Sequence, residues 1–306
     1  MSNNNTPRRI VSRVEAIEIG PHEEVYLQRQ GKRFAEVNHF MRKPQATVRR
    51  INKYEYEVIS SRERRFYEKK EKKLLESMRK AMKKLRGVIR ANFGENEELE
   101  AHITLTYREN MQDPKRLYED FKKWYKQLKY HYPKHQFEYI AVAEPQERGA
   151  WHIHLLLKSN KPLWMDNQVE DYLNFETVRD MWRKASKDGG STRHERINQN
   201  DVGKYFEQYF STIIDESIEM SGDKEAIKTA SKAAKKGSRL HYYPQGFRFY
   251  RCSKGIKRPA SEESEYENII QEYGQPVKKT RYEIVSEMGE ILQRIQKERF
   301  EVAKDE

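Results

Sequence analysis

The sequence predicts an α+β fold: an antiparallel sheet on a ferredoxin-like βαββαβ-type frame, with helices on one face. Three observations lead there. From residue 101 onward, short alternating apolar segments are interleaved with longer segments of helical period, in the order β-α-β-β-α-β-α. The segments 137–144 and 151–157 are separated only by a tight Pro145–Gly149 turn, so they form an antiparallel hairpin. Asp113 and Pro114 then mark a helix start between the first strand and that hairpin, as N-cap and first helical residue. Helices on one face leave the other open to a ligand.

Composition bounds the function. The chain has 306 residues, 36% hydrophobic and 11% aromatic, enough to build a core. The charged fraction is 35% and the net charge is +12, with a sequence pI of 9.4 and a mean hydropathy of −1.08. Such a positive excess points to a polyanionic partner, with nucleic acid first. No long amphipathic Trp/Phe/Leu face favours a membrane, no run is long enough to span one, and the first residues lack an apolar core for export. A cytoplasmic protein is expected. Cys252 is the one cysteine, so an internal disulfide and Cys-based zinc fingers are excluded. The sequence contains no Gly-x-x-x-x-Gly-Lys-Ser/Thr phosphate loop, hence no ATP-driven motor is expected within it.

Residues 1–60 read as a β-rich accessory region, with partial alternation at Ile10 to Ile19 and Tyr54 to Val58. Residues 61–92 read as a basic helix: Phe66, Leu74, Met78, Met82, Leu85 and Ile89 recur at helical spacing. From Arg62 to Arg90 there are 13 Lys/Arg and 4 Glu, a one-signed stripe suited to phosphates or to a solvated face. Residues 93–258 carry the main domain. Within it Ile103, Leu105 and Tyr107 share one strand face and His102, Thr104 and Thr106 the other, with His102 expected to be half-exposed. Leu117, Phe121, Trp124 and Leu128 form the buried stripe of the first helix. A second helix is expected over about 167–186, then a short strand at 196–198 and another helix from about Asp201. Residues 217–240, with Lys235 and Lys236, read as a basic linker, and Phe247–Cys252 as one more strand. Residues 259–306 carry 12 Asp/Glu against 7 Lys/Arg and read as an acidic peripheral extension, in which Tyr282 to Ile295 fit either a hairpin or a helix.

Chemistry concentrates in two places. On the strand Trp151–Leu157, His152 and His154 are two residues apart and so project from one face, while Trp151, Ile153, Leu155 and Leu157 project from the other. Across the turn, Glu144 lands near His152. Two imidazoles and a carboxylate suit a divalent ion; spacing alone leaves a pair of satisfied sheet histidines as the alternative. On the expected helix after Asp201, Tyr205 and Tyr209 share a face at i, i+4, as paired reactive phenols or as core packing.

Taken together, these segments resemble the three motifs of the HUH endonuclease superfamily, and most closely the rolling-circle replication initiators (Rep) of bacterial plasmids and phages. Ile103-Thr-Leu-Thr-Tyr107 with Glu109-Asn110 looks like the first motif. Glu144-x-Gln146-x-Arg148-Gly149-x-x-His152-x-His154 looks like the second, and Lys204-Tyr205-x-x-x-Tyr209 like the third. Arg251-x-Ser253-x-Gly255 resembles a downstream stretch of bacterial Rep proteins. The resemblance covers about 90–258 and implies an HUH core that nicks and rejoins single-stranded origin DNA. It implies Mg²⁺ or Mn²⁺ on His152, His154 and Glu144, and a 5′-phosphotyrosine on Tyr205, with Tyr209 as second nucleophile. DNA contacts from Thr104, Thr106, Arg148, Lys204, Lys235, Lys236 and Arg251 follow from it, as do a separate host helicase and a host DNA polymerase. Many members carry Lys three residues after the Tyr; Gln208 stands there in this chain. Relaxases and single-strand transposases share the chemistry, and a non-catalytic DNA-binding protein could use the same frame.

Overall fold

The computed structural model describes residues 10–42, 48–52, 55–59, 61–66, 74–146, 148–165, 171–197, 242–244, 246–286 and 288–302. Contacts divide the chain into two compact units, Met1–Lys72 with Pro259–Glu306, and Lys73–Arg258. The first unit contains β1 (Ile10–Val14), β2 (Glu24–Gln30), β3 (Phe34–Phe40), β4 (Val48–Arg50), β5 (Glu55–Val58) and β6 (Arg64–Phe66). The second contains α1 (Leu74–Arg90), β7 (Glu100–Thr106), α2 (Pro114–His131), β8 (Glu138–Pro145), β9 (Trp151–Lys158), α3 (Phe175–Ser186), β10 (Ser191–Arg196) and β11 (Tyr250–Cys252). The first unit then resumes with β12 (Ser261–Glu265), α4 (Tyr266–Tyr273), β13 (Lys278–Val285) and β14 (Ile291–Glu301).

The first unit corrects the expectation of two separate appendages. Its main sheet has the order β1-β13-β14-β3-β2-β12, all antiparallel, so strands from both ends of the chain alternate within it. The acidic tail is therefore structural: Phe300, Tyr266, Ile269 and Tyr273 join Val25, Leu27, Ala35 and Val37 in one core. A buried polar chain is satisfied alongside it. Tyr266 donates its hydroxyl hydrogen to Glu298 at 2.5 Å, and Gln296 donates to Glu298 and to the Ile17 carbonyl, each at 2.7 Å. Strands β13 and β14 pair as a hairpin, which decides between the hairpin and the helix that the sequence allowed there.

The helix expected from residue 61 begins later. Arg64–Phe66 are the strand β6, paired with β5 so that Arg64 faces Glu57 and Tyr56 faces Arg65. Cross-strand charge pairing there outweighs the helical reading of a Lys/Arg/Glu run. Phe66 is exposed rather than part of the helical stripe.

The second unit is the ferredoxin-like frame. Its sheet runs β10-β7-β9-β8-β11, antiparallel throughout, with β9 at the centre. Asp113 caps α2 by accepting from the Lys115 N–H, with Pro114 at the first turn. Helix α3 starts at Phe175, later than expected, because the Asn174 side chain caps the Glu176 and Thr177 N–H groups. The edge strand β10 lies at 191–196 rather than 196–198. Its exposed, charged residues show no apolar alternation to read.

Helices α2 and α3 pack on one face of this sheet, as expected. Trp124, Leu117 and Phe121 of α2 and Trp182 and Val178 of α3 meet Ile103, Leu105, Ile153 and Leu155. All four tryptophans donate their indole N–H to a backbone carbonyl: Trp124 to Val178, Trp151 to Gln112, Trp164 to Glu100 and Trp182 to Thr106. Each thereby buries a large ring without leaving a donor unsatisfied.

The opposite face is not wholly free. Met82, Leu85 and Ile89 of α1 pack against Ile140, Val142 and Leu156. That face is apolar at one end, under α1, and polar at the other. On β9 the switch runs from Leu156 to His154 to His152. On β8 it runs from Ile140 and Val142 to Glu144.

Ile153 is fully buried on the central strand and stands in sequence between the two imidazoles, on the opposite face from them. Ile153→Ala is expected to destabilise the unit by about 2–5 kcal/mol through lost contacts and a residual cavity. Denaturant unfolding should show a lower midpoint at unchanged slope.

Candidate metal centre

The central strand fixes the site. β9 pairs with β8 in a register that sets Glu144 opposite His152, and with β7 in one that sets Thr106 opposite His152 and Thr104 opposite His154. The turn between β8 and β9 depends on Gly149, which has φ +85°. A Cβ there would lie 2.7 Å from the Tyr242 ring and 2.9 Å from Gln112 Nε2. Gln146 N–H donates to the Ala150 carbonyl at 2.8 Å, and Gly149 N–H to the Gln146 carbonyl at 2.9 Å, which closes the turn.

Three buried ligand atoms converge. His152 Nε2 and His154 Nε2 are 2.8 Å apart, His154 Nε2 lies 3.0 Å from Glu144 Oε2, and His152 Nε2 lies 3.3 Å from the same oxygen. Ligand atoms held ~2.1 Å from one ion and at right angles to each other are ~3.0 Å apart. The triangle therefore has the size of one face of an octahedron, and its N/N/O donor set suits a divalent cation. This is a group that could hold a metal ion. Burial by itself would raise the Glu144 carboxyl. Hydrogen bonds and charge from His152 and His154 outweigh it, and the carboxyl sits well below the usual carboxylate range. Glu144 is thus an anionic ligand rather than an acid.

Support for the two histidines is unequal. His154 Nδ1 lies 3.3 Å from His102 Nε2 and 3.4 Å from Thr104 Oγ1. The His102 and His154 rings stack, with centroids 5.5 Å apart and planes 19° apart. His102 Nδ1 in turn lies 3.6 Å from the Glu195 carboxylate on β10. The series Glu195, His102, His154 is the kind of outer support that orients a metal-binding imidazole. By contrast, His152 Nδ1 is buried with no partner.

His102 is where strand alternation alone falls short. Alternation suggests a half-exposed residue, and the side chain is in fact only 8% exposed. Its place on the Thr104/Thr106 face is readable from the sequence; its approach to His154 needs the β7–β9 register. Burial first, then the neighbouring His154, lower its pKa from 6.5 to about 4, with Glu195 opposing.

The other expected site residues separate. Thr104 touches His154, but Thr106 donates its hydroxyl to the Ser191 carbonyl at 3.0 Å. Arg148 is exposed in the turn, where its Nε donates to Gln146 Oε1 at 3.2 Å. Arg251 sits on β11, toward the other end of β8 from Glu144. Lys204, Tyr205, Tyr209, Lys235 and Lys236 lie outside the described residues, as do the expected 201 helix and the 217–240 linker.

Residues 100–213 match a family model of replication-associated proteins, the ORF2 type. That match spans rather more than a third of the chain and supports a replication-initiator family with DNA as its partner. No curated protein and no solved structure matches the chain. Among the described residues no helix is long and apolar enough to cross a membrane.

Two outcomes are expected from this geometry. His154→Ala should abolish tight Mn²⁺ binding measured by electron paramagnetic resonance, while His102→Gln should weaken it about 10- to 100-fold, the usual cost of losing an outer-shell partner. The second outcome concerns pH. His102 holds its proton less tightly when folded, so between about 6.5 and about 4 the unfolded chain carries the extra proton. Stability from the neutral imidazole is complete above about 6.5 and is lost as pH falls toward about 4. Thermal midpoints across that window should fall less steeply in His102→Gln than in the wild type.

Proposed function

We propose that this chain is a replication initiator that nicks and rejoins single-stranded DNA at an origin, through a covalent 5′-phosphotyrosine. The observation that carries the reading is the buried Glu144, His152 and His154 cluster at the centre of a ferredoxin-like sheet, within a segment similar to replication-associated proteins. The matched segment runs to residue 213, past both Tyr205 and Tyr209.

Glu144, His152 and His154 would hold Mg²⁺ or Mn²⁺. A divalent ion bound there supplies Lewis acidity toward the scissile phosphate and offsets the charge that builds on it. The chain supplies the nucleophile. The Tyr205 phenol oxygen forms a bond to phosphorus as the bond to the 3′ oxygen breaks; the phenol proton is released and the departing 3′ oxygen takes one up. The product is a 5′-phosphotyrosine and a free 3′-OH, which can prime a polymerase. The phosphodiester bond is conserved in the adduct, so the strand can be rejoined without ATP. Tyr209, four residues on, is positioned in sequence for the second transfer. A phenol titrates near ~10, so attack at neutral pH needs nearby positive charge; Lys204 is adjacent and Gln208 cannot supply it. The aromatic residues and the +12 net charge serve strand binding. Unwinding and synthesis fall to a separate helicase and polymerase.

The test is a denaturing gel of protein, Mn²⁺ and a labelled single-stranded origin oligonucleotide. A covalent adduct is expected, absent in Tyr205→Phe and in His152→Ala, and retained for the first cleavage in Tyr209→Phe. An adduct lost in neither His152→Ala nor Tyr205→Phe would overturn the assignment.

A further inference from the structure

At the other end of β8 from Glu144 lies a second feature, outside the metal cluster. Strand β11 is the edge of the five-stranded sheet, bonded to β8 alone. A cavity of about 740 Å³ opens along it, bounded by Ala81 of α1, Tyr139 of β8, and the segment from Gly246 to Cys252 with Arg258. Arg248, Arg251 and Arg258 line this one cavity and all three are exposed. None is ion-paired with a carboxylate among the described residues. Three like charges in one cavity repel each other, and an anion relieves that repulsion.

The backbone carrying these arginines is pinned from inside. Tyr118 of α2 donates its hydroxyl hydrogen to the Arg248 carbonyl at 2.6 Å, and its ring carries the Arg251 guanidinium 3.6 Å above its centroid. Ser253 is bound to the Glu138 side chain and accepts from the Tyr139 N–H at 2.8 Å. Gly255 N–H donates to Glu138 Oε2 at 3.0 Å, and a Cβ at Gly255 would collide with that carboxylate. Asn92 holds both backbone polar groups of Lys257, at 2.9 and 2.7 Å. The Arg251-x-Ser253-x-Gly255 pattern thus divides by role. Ser253 and Gly255 lock the turn to β8, and Arg251 faces the cavity.

We propose that this cavity is a second contact for single-stranded DNA, in which Arg248, Arg251 and Arg258 take backbone phosphates while Tyr139, Tyr250 and Phe247 offer surfaces to bases. The inference rests on DNA being the partner. Guanidinium groups beside aromatic rings suit a nucleotide strand, which carries both anions and flat bases. A peptide added to the β11 edge fits less well, because that strand is only three residues long. Tyr139 and Glu144 are five residues apart on one strand, about 17 Å at ~3.4 Å per residue. The DNA strand is therefore held at one end of β8 and presented to the metal cluster at the other.

The experiment uses the full chain and fluorescence anisotropy with a labelled thymidine oligonucleotide over a range of salt. Arg248→Ala/Arg251→Ala/Arg258→Ala should weaken binding at least tenfold. It should also lower the slope of log affinity against log salt by about 2, the share of three phosphate contacts on a single strand. Arg248→Glu/Arg258→Glu leaves the Arg251–Tyr118 stack intact and should weaken binding further still. Mn²⁺ affinity should be unchanged in both variants, which shows that the sheet is folded. Wild-type affinity and salt slope in both variants would overturn the inference, and the gel assay above would be untouched by that failure. Loss of the adduct with wild-type DNA affinity in His152→Ala would separate the two sites from the other side. A wild-type chain that binds a peptide at this edge and no oligonucleotide would overturn both readings.

Discussion

The second unit depends on one constraint, the register of the central strand β9 between β7 and β8. Alternation along this strand does two opposite jobs at once. Trp151, Ile153, Leu155 and Leu157 complete the core under α2 and α3, while His152 and His154 complete the polar cluster on the other face. A slip of one residue would put imidazoles in the core and Ile153 beside Glu144. The apolar residues therefore enforce the site's geometry, and the Gly149 turn sets the count between Glu144 and His152. Burial of the core is what makes three polar atoms converge within 3.3 Å on the reverse side.

That reverse side is itself divided, and the division explains why a buried polar cluster is tolerated. Helix α1 covers the apolar end at Ile140, Val142 and Leu156. Beyond it, the polar groups on the same face are partnered by one another: Glu144 with the two imidazoles, Thr104 and His102 with His154, and Glu195 with His102. Buried charge is kept because it is paired. A helix whose composition suggests a phosphate stripe is thus also a core element. Lys83 and Lys84 of α1 are exposed, while Met82, Leu85 and Ile89 are buried, so charge and packing occupy different sides of one helix.

Much of this frame is legible in the sequence. The β8–β9 hairpin, the Asp113 cap and the pairing of Glu144 with His152 all follow from local rules, because the signals are close in sequence. The misses are non-local or masked by charge. β10 carries no alternation, since an exposed edge strand needs none. Arg64–Phe66 looks helical until its cross-strand partner at Glu57 is known. Residues 259–306 look peripheral because their acidic surface hides Tyr266, Ile269 and Phe300, whose core partners Val25, Leu27, Ala35 and Val37 lie near the opposite end of the sequence. His102 is readable on the correct face, and only the strand pairing brings it to His154.

The site's asymmetry follows from the same sheet. His154 is the inner of the two histidines, flanked by β7 on one side and β8 on the other, so neighbouring strands supply it with Thr104, His102 and Glu144. His152 is one pleat nearer the turn. Its β7 neighbour, Thr106, has already committed its hydroxyl to the edge strand β10. Nothing on the sheet then remains for His152 Nδ1, which is buried without a partner. The orientation of His154 is thus fixed by hydrogen-bonding groups and that of His152 by packing and by what binds its Nε2. A cation on Nε2 would favour the neutral imidazole and place its proton on Nδ1, an assignment that no neighbouring side chain makes. Of the two histidines, His152 is the one whose arrangement is completed by a bound ion.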